Sequence, residues 1–182
     1  MQKNILPLLL TLLLATFFLG FKNPAPPERP WKVESYIKKY KYLAVELNKN
    51  TGIPLPLILA VAGLESDWGT SELAKYSNNH FGIKAVDWAG LTYCKTTWEY
   101  TGGEMKAMDQ CFRKYLFIKD SFVDFGEFLI KRKYYKNLFV IPQENLEDWA
   151  HGLWYCKYAT DPEYGFKLMK LIEDYRLAEI TQ

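Results

Sequence analysis

The clearest candidate for chemistry in this sequence is a single carboxyl group, that of Glu65, at the end of a long apolar run. Residues 53–64 read IPLPLILAVAGL and carry neither a charge nor a hydrogen-bonding side chain. Such a run predicts a buried helix, with Glu65 at its C-terminal end. Partial burial and the negative end of the helix dipole both disfavour a charged carboxylate, so Glu65 is a candidate general acid. The alternative is a helix-end glutamate that faces solvent.

A second element is predicted around Gly102 and Gly103, which are typical of a two-residue hairpin turn. A hairpin over about residues 92–112, paired symmetrically about these glycines, places Cys94 opposite Cys111. In this register the two cysteines form a non-hydrogen-bonded pair, where side chains lie closest, and a cross-strand disulfide is favoured over two free thiols. The third cysteine, Cys156, is expected to be a buried free thiol.

Helices are predicted over most of the remaining chain, because apolar residues recur there at helical spacing. One apolar stripe runs from Val33 to Leu47, and others cover about residues 122–129 and 146–154. Thr160 and Glu163 have the spacing of a capping box, which predicts that the last helix opens there, with Tyr164 in its apolar stripe. The expected fold class is mainly α, a helical domain with a small β-hairpin lobe.

The first thirty residues are typical of a targeting segment and a linker, and not of a folded domain. Residues 1–22 have a basic start and an apolar run, typical of a signal sequence or a short membrane anchor. Residues 23–30 are rich in proline and predict a stiff linker, which leaves residues 31–182 as one domain. We expect an exported protein of the periplasm or cell envelope, and both release and N-terminal tethering remain open.

Composition narrows the class of protein further. Apolar residues make up 49% of the 182 residues and aromatic residues 16%, as in a globular domain. A net charge of +2 gives no support for a nucleic-acid partner. The only two histidines, His80 and His151, stand far apart and without a ligand cluster, so neither a metal nor another cofactor is expected. We expect a monomer.

Three motifs in order give the chain a resemblance to a known family. Residues 64–69 read LESDWG, residues 77–84 read SNNHFGIK, and residues 158–164 read YATDPEY. Together they resemble the signature of the peptidoglycan endo-β-N-acetylglucosaminidases, the family of flagellar-rod hydrolases and autolysins. The resemblance implies a lysozyme-like helical fold that cleaves β-1,4 bonds after N-acetylglucosamine, with glycan strands of peptidoglycan as partner. Lys157 departs from the pattern, since glycine commonly precedes the tyrosine of the third motif.

The resemblance also implies catalytic roles for Glu65, Glu99 and Tyr158. Glycoside hydrolysis generally uses two carboxyl groups, one as acid and one as nucleophile or base. Glu99 follows a Thr-Thr pair on the predicted hairpin, where the family places a carboxylate. Glu99 is equally well interpreted as a surface strand residue opposite Lys106. In that case the acetamido group of the substrate could take the role of the second carboxyl group. Tyr158 could orient a water molecule or that acetamido group, or it could be a core tyrosine.

Three further residues are candidates for substrate binding. The aromatic side chains of Trp68 and Phe81 suit the apolar faces of sugar rings, although most aromatic residues of a domain belong to its core, and Trp68 is expected partly to pack the turn after Glu65. Asn79 could bond an acetamido group or brace its loop.

The rival functions are a lytic transglycosylase or muramidase on the related fold and a non-catalytic wall-binding protein. The transglycosylase's Gly-Leu-Met-Gln-type motif is absent, and retention of Glu65, Glu99 and Tyr158 argues against a binding protein.

Overall fold

A computed structural model describes residues 28–181 of the chain. The predicted export segment at residues 1–22 and most of the predicted linker at 23–30 lie outside the described residues, so that division of the chain stays a prediction. Within residues 28–181, no helix combines the length and the apolar character that a membrane span needs.

Six α-helices and one β-hairpin make up the described chain. The helices are α1 (Trp31–Thr51), α2 (Leu55–Ser66), α3 (Glu72–Ser77), α4 (Ile118–Lys131), α5 (Leu146–Tyr155) and α6 (Tyr164–Asp174). The strands β1 (Thr92–Thr101) and β2 (Glu104–Arg113) form the hairpin, and 3-10 helices cover Lys133–Val140 and Leu177–Glu179. This arrangement confirms the predicted fold class of a mainly α domain with a β-hairpin lobe.

Helix α2 is the centre of the core, as its uniformly apolar sequence predicts. Every residue from Leu57 to Ala62 is fully buried. Helices α1, α5 and α6 pack around α2, and α4 packs on α1. A helix enclosed on all sides holds its last turn in a fixed place, which gives Glu65 a rigid support.

The hairpin has the register that the two glycines predict. Cys94 pairs with Cys111 and Glu99 with Lys106, and the turn lies at Gly102 and Gly103. Cys94 and Cys111 form a disulfide with a Cα–Cα distance of 4.0 Å, and Cys156 is a free thiol. The predicted disulfide is therefore confirmed. Cys156 is half-buried, and its Sγ contacts the backbone oxygen of Tyr134.

The start of α6 differs from the prediction. The helix begins at Tyr164 and not at a capping box formed by Thr160. Asp161 precedes Pro162, which disfavours helical backbone at residue 161. The Asp161 carboxylate instead accepts a hydrogen bond from the backbone N–H of Glu163 at 2.9 Å and pairs with Lys167. As a result, Tyr164 is the first residue of the helix and faces the end of α2.

Candidate active site

A cleft of about 690 Å³ opens between the helical body and the hairpin. Glu65 and Gly82 line it together with Tyr158 and Tyr164, and Thr97 lines it from β1. The cleft thus brings together residues from all three sequence motifs. Among the described residues, no group of three or more His, Cys, Asp or Glu side chains is placed to hold a metal ion.

Glu65 lies in the last turn of α2 and is half-buried at the cleft. The turn that follows is tight, since Asp67, Trp68 and Gly69 all have positive φ angles. The buried hydroxyl of Ser66 stabilises this turn, because it donates to the backbone oxygen of Ala62 and accepts from the N–H of Gly69. These bonds fix the end of α2 and with it the position of the Glu65 carboxyl group.

Trp68 belongs to this support and not to the cleft. Its side chain is only 8% exposed and packs edge-on against Tyr36 and Tyr175. A Cβ atom at Gly63 would lie 2.7 Å from the Trp68 ring, so the ring folds back against α2. The tight turn after Glu65 directs this side chain into the core, as the expected packing role requires, and the sugar contact at Trp68 stays a prediction that this placement does not support.

Asn79 and Phe81 are also buried, at 0% and 1% exposure. The Asn79 amide donates to the backbone oxygens of Ile83 and Arg113 and accepts from the N–H groups of Phe81 and Ile83. It braces the loop against β2, which was the alternative interpretation. The Phe81 ring stacks on Phe125 with centroids 4.2 Å apart. Phe81 also lines the cleft, although its ring is buried. The substrate contacts predicted for Asn79 and Phe81 stay predictions, and the contacts observed here are structural.

Gly82 brings this loop directly against the catalytic candidate. Its φ angle is +64°, and a Cβ atom there would lie 2.7 Å from Oε2 of Glu65. Glycine adopts this backbone conformation at no steric cost, and its missing side chain leaves room for the Glu65 carboxyl group itself. The close approach explains why the loop carries glycine next to Glu65.

Tyr158 is positioned by the end of α5. Lys157 has a φ angle of 62°, its N–H donates to the Trp154 oxygen at 2.8 Å, and the N–H of Tyr158 donates to the Leu153 oxygen at 3.0 Å. These two bonds form a Schellman motif, which fixes the direction of the chain after the helix. The Tyr158 hydroxyl then donates to the backbone oxygen of Phe81 at 2.6 Å. Tyr158 thereby holds the Phe81–Gly82 backbone beside Glu65.

Tyr164 is the functional candidate that the sequence analysis missed. Its hydroxyl donates a hydrogen bond to Oε1 of Glu65 at 2.9 Å. Burial, followed by the nearby negative charge of Glu65, raises the pKa of both Tyr164 and Tyr158 well above the usual range. Both phenols therefore keep their protons and act as donors. The position of Tyr164 in the third motif was a signal of a functional role. Tyr164 also belongs to the apolar stripe of the last helix, and a tyrosine in such a stripe is usually interpreted as a core residue.

Glu99 belongs to the first strand of the hairpin. It lies on β1 opposite Lys106 and two residues after Thr97, which lines the cleft. Because alternate residues of a strand share a face, residues 97 and 99 occupy the same face of β1. Tyr93 and Lys95 of that face contact Glu72 of α3, so this face turns toward the helical body.

Comparison with known proteins agrees with these motifs. Residues 41–177 match the glucosaminidase family, described as mannosyl-glycoprotein endo-beta-N-acetylglucosaminidase. The exo-glucosaminidase LytG of Bacillus subtilis is 37% identical over 134 residues, which are 70% of this chain and 46% of LytG. The peptidoglycan hydrolase FlgJ of Salmonella typhimurium is 32% identical over 162 residues, 85% of this chain and 51% of FlgJ. The chain thus spans about half the length of these relatives.

Solved structures show the same architecture. A peptidoglycan hydrolase mutant from Sphingomonas sp. A1 superimposes with a TM-score of 0.72 at 27% identity, covering 80% of this chain and 96% of that one. The truncated glycoside hydrolase domain of Salmonella typhimurium FlgJ gives a TM-score of 0.61 at 31% identity, covering 82% and 99%. The family match extends over well more than half of the chain and includes all three motifs, so this chain belongs to the glucosaminidase family.

Proposed function

We propose that this chain hydrolyses the glycan strands of peptidoglycan, at the β-1,4 bond between N-acetylglucosamine and N-acetylmuramic acid, with Glu65 as general acid. The observation that carries the proposal is the fixed placement of Glu65 in an open cleft. The Tyr164 hydroxyl donates to Oε1, Oε2 lies close to Gly82, and Glu65 lines the cleft. A glycosidic oxygen that binds in the cleft next to this carboxyl group can take a proton from it, as the first step of glycoside hydrolysis requires.

Peptidoglycan is favoured as the substrate by the relatives. FlgJ proteins are described as peptidoglycan hydrolases, and an autolysin of Enterococcus faecalis is 34% identical over 169 residues. Such a substrate lies outside the cytoplasm, in accord with the export segment predicted at residues 1–22. Tethering by that segment and a monomeric state belong to the same proposal.

Glu99 is proposed as the second carboxyl group, since it shares a strand face with Thr97 at the cleft. Tyr158 is proposed to act on the site by holding Gly82 beside Glu65. Replacing Glu99 by glutamine should lower kcat more than it raises KM. If kcat is unchanged, Glu99 is a strand residue and the substrate's acetamido group is the better candidate for the second role.

Mass spectrometry of fragments released from purified sacculi tests the function. The proposal predicts fragments with N-acetylglucosamine at the reducing end. A 1,6-anhydromuramyl end would identify a lytic transglycosylase, and a reducing-end N-acetylmuramic acid would identify a muramidase. Co-sedimentation with sacculi without any released fragment would identify a wall-binding protein.

A further inference from the structure

One end of the cleft carries two cationic side chains that have no carboxylate partner among the described side chains. These are Arg132 and Lys157, and both line the cleft. The Arg132 guanidinium lies 3.7 Å from the centre of the Phe128 ring, and that ring contacts Tyr158, the neighbour of Lys157. The two cations therefore flank Tyr158 on the same wall.

Two other charged residues of the cleft, Asp161 and Lys167, are already engaged with each other. Asp161 pairs with Lys167 and also accepts the N–H of Glu163. Arg132 makes only a long contact, 3.5 Å, to the backbone oxygen of Phe128, and Lys157 Nζ lies 5.6 Å from the centre of the Trp154 ring. Stacking on an aromatic face leaves the in-plane donors of a guanidinium free to bind an anion.

Lys157 occupies its position at a conformational cost. It is the residue just beyond the end of α5 in the Schellman motif, with a φ angle of 62°. This position favours glycine, because a side chain there is crowded by the following carbonyl group. A lysine therefore stands where glycine would be less strained, and its positive charge at the cleft is the feature that we seek to explain.

We infer that Arg132 and Lys157 form a subsite for a carboxylate carried by the muramyl substituent of the glycan strand. The inference rests on the proposed function and specifies which further group of the substrate the cleft binds. The sugar backbone of peptidoglycan is neutral, whereas free carboxylates occur on its stem peptides or, where the peptide has been removed, on the lactyl group. A guanidinium fork binds a carboxylate through two hydrogen bonds, and a nearby ammonium adds a point charge.

Both cations also follow a helix end, α4 for Arg132 and α5 for Lys157, where positive charge is favourable in itself. That effect stabilises the fold whatever the substrate carries. The test must therefore change the charge of the substrate as well as that of the protein.

The experiment compares purified wall with the same wall whose free carboxylates have been converted to amides by a carbodiimide and methylamine. KM is measured on both for the wild type, for the double variant Arg132→Gln with Lys157→Gln, and for Lys136→Gln. Lys136 is an exposed residue of the 3-10 helix Lys133–Val140, which directly follows Arg132. It does not line the cleft, so its replacement controls for the change in net charge. Glycan strands stripped of peptide by an amidase form a third substrate, which carries only the lactyl carboxylate.

We expect amidation to raise the wild-type KM roughly fourfold to twenty-five-fold, since each of the two partly exposed ion pairs contributes about a factor of two to five. In the double variant the ratio of the two KM values should fall to about one, with kcat on native wall retained, and Lys136→Gln should keep the wild-type ratio. A stripped strand with a KM like that of native wall assigns the carboxylate to the lactyl group, and a raised KM assigns it to the stem peptide.

A wild-type KM that is the same on native and amidated wall would overturn the inference, as would a double variant that keeps the wild-type ratio. In both cases release of fragments by the wild type leaves the proposed hydrolysis intact. If the wild type releases no fragments from either wall, the proposed function fails and the subsite falls with it.

Discussion

Tyr164 and Glu65 stand 99 residues apart in the sequence, yet the Tyr164 hydroxyl donates a hydrogen bond to Oε1 of Glu65 over 2.9 Å. The tyrosine is the first residue of α6 and the glutamate is in the last turn of α2. Because the phenol keeps its proton, the contact always places a donor on the same carboxyl oxygen. The other oxygen, Oε2, is directed to Gly82 and the cleft.

Replacing Tyr164 by phenylalanine should lower kcat on wall roughly tenfold to a hundredfold with a smaller change in KM. The ring stays in the core, and the loss is a hydrogen bond to a carboxyl group, worth about 1.5–3 kcal/mol. Tyr115→Phe is the matched control, since its hydroxyl donates to Asp124 at 2.6 Å outside the cleft. Both variants should lose stability in thermal unfolding, and only Tyr164→Phe should lose turnover. Equal kcat values for the two variants would remove Tyr164 from the site.

Replacing Gly82 by alanine should abolish most activity. The new methyl group would lie 2.7 Å from Oε2 of Glu65, so the carboxyl group or the loop must move. The control is Gly102→Ala, which has the same φ of +64° but nothing within 4 Å of its Cβ. Both changes should cost about 1–2 kcal/mol of backbone strain in denaturant unfolding. Activity lost equally in both would mean that backbone strain, and not contact with Glu65, is responsible.

A buried histidine makes the stability of the fold depend on pH. His80 is 2% exposed, its Nδ1 is 2.7 Å from the Tyr36 hydroxyl, and burial, with the nearby charge of Lys39, lowers its pKa from 6.5 to about 4. The unfolded chain binds a proton at this residue below pH 6.5 and the folded chain does not. The contribution of neutral His80 to the free energy of unfolding is therefore fully present above pH 6.5. It is lost as the pH falls from 6.5 toward 4, and the total loss is on the order of 3 kcal/mol.

Urea unfolding of the wild type and of His80→Leu at several pH values checks this expectation. The variant should show a much flatter dependence between pH 6.5 and 4, whatever its stability at pH 7. An unchanged slope in the variant would assign the acid sensitivity to other groups.

The hairpin and its disulfide could be predicted because their signals are local. Two adjacent glycines fix the turn, and the two-residue period of a strand then fixes every pair up to Cys94 and Cys111. The buried helix α2 could be predicted for the same reason, since a run without polar side chains has only one favourable environment.

The roles of individual aromatic residues could not be predicted in this way. Trp68 and Phe81 stand close in sequence to the motif that holds Glu65, but the side chains of both are buried in the core. Tyr164 fits an apolar stripe, and only the packing of α6 on α2 shows that its hydroxyl reaches Glu65. The predicted start of α6 was wrong by three residues, because the Asp161 side chain closes a turn across Pro162 by accepting the N–H of Glu163.

The disulfide should stabilise the hairpin lobe more than the helical core. Closing a loop with a sequence separation of 17 is worth roughly 3 kcal/mol in the chain-entropy model. In the double variant Cys94→Ser with Cys111→Ser, amide hydrogen exchange should rise over residues 92–113, and activity should fall because that lobe carries Glu99 and Thr97. Exchange that rises equally in α2 would mean that the whole domain is destabilised.

The state of the thiols provides the control for that experiment. Without reductant, the denatured protein should react with one equivalent of alkylating reagent, at Cys156, and with three after reduction. Labelling of Cys94 and Cys111 before reduction would contradict the pairing.

Turnover of the Glu65→Gln variant on purified wall tests the central claim most directly. The amide has nearly the same size and can keep the hydrogen bond from Tyr164, but it cannot donate a proton to the leaving oxygen. With the fold verified by circular dichroism, kcat should fall roughly 10²–10⁴-fold while the variant still sediments with wall. A folded Glu65→Gln variant that releases fragments at nearly the wild-type rate would show that Glu65 is not the acid.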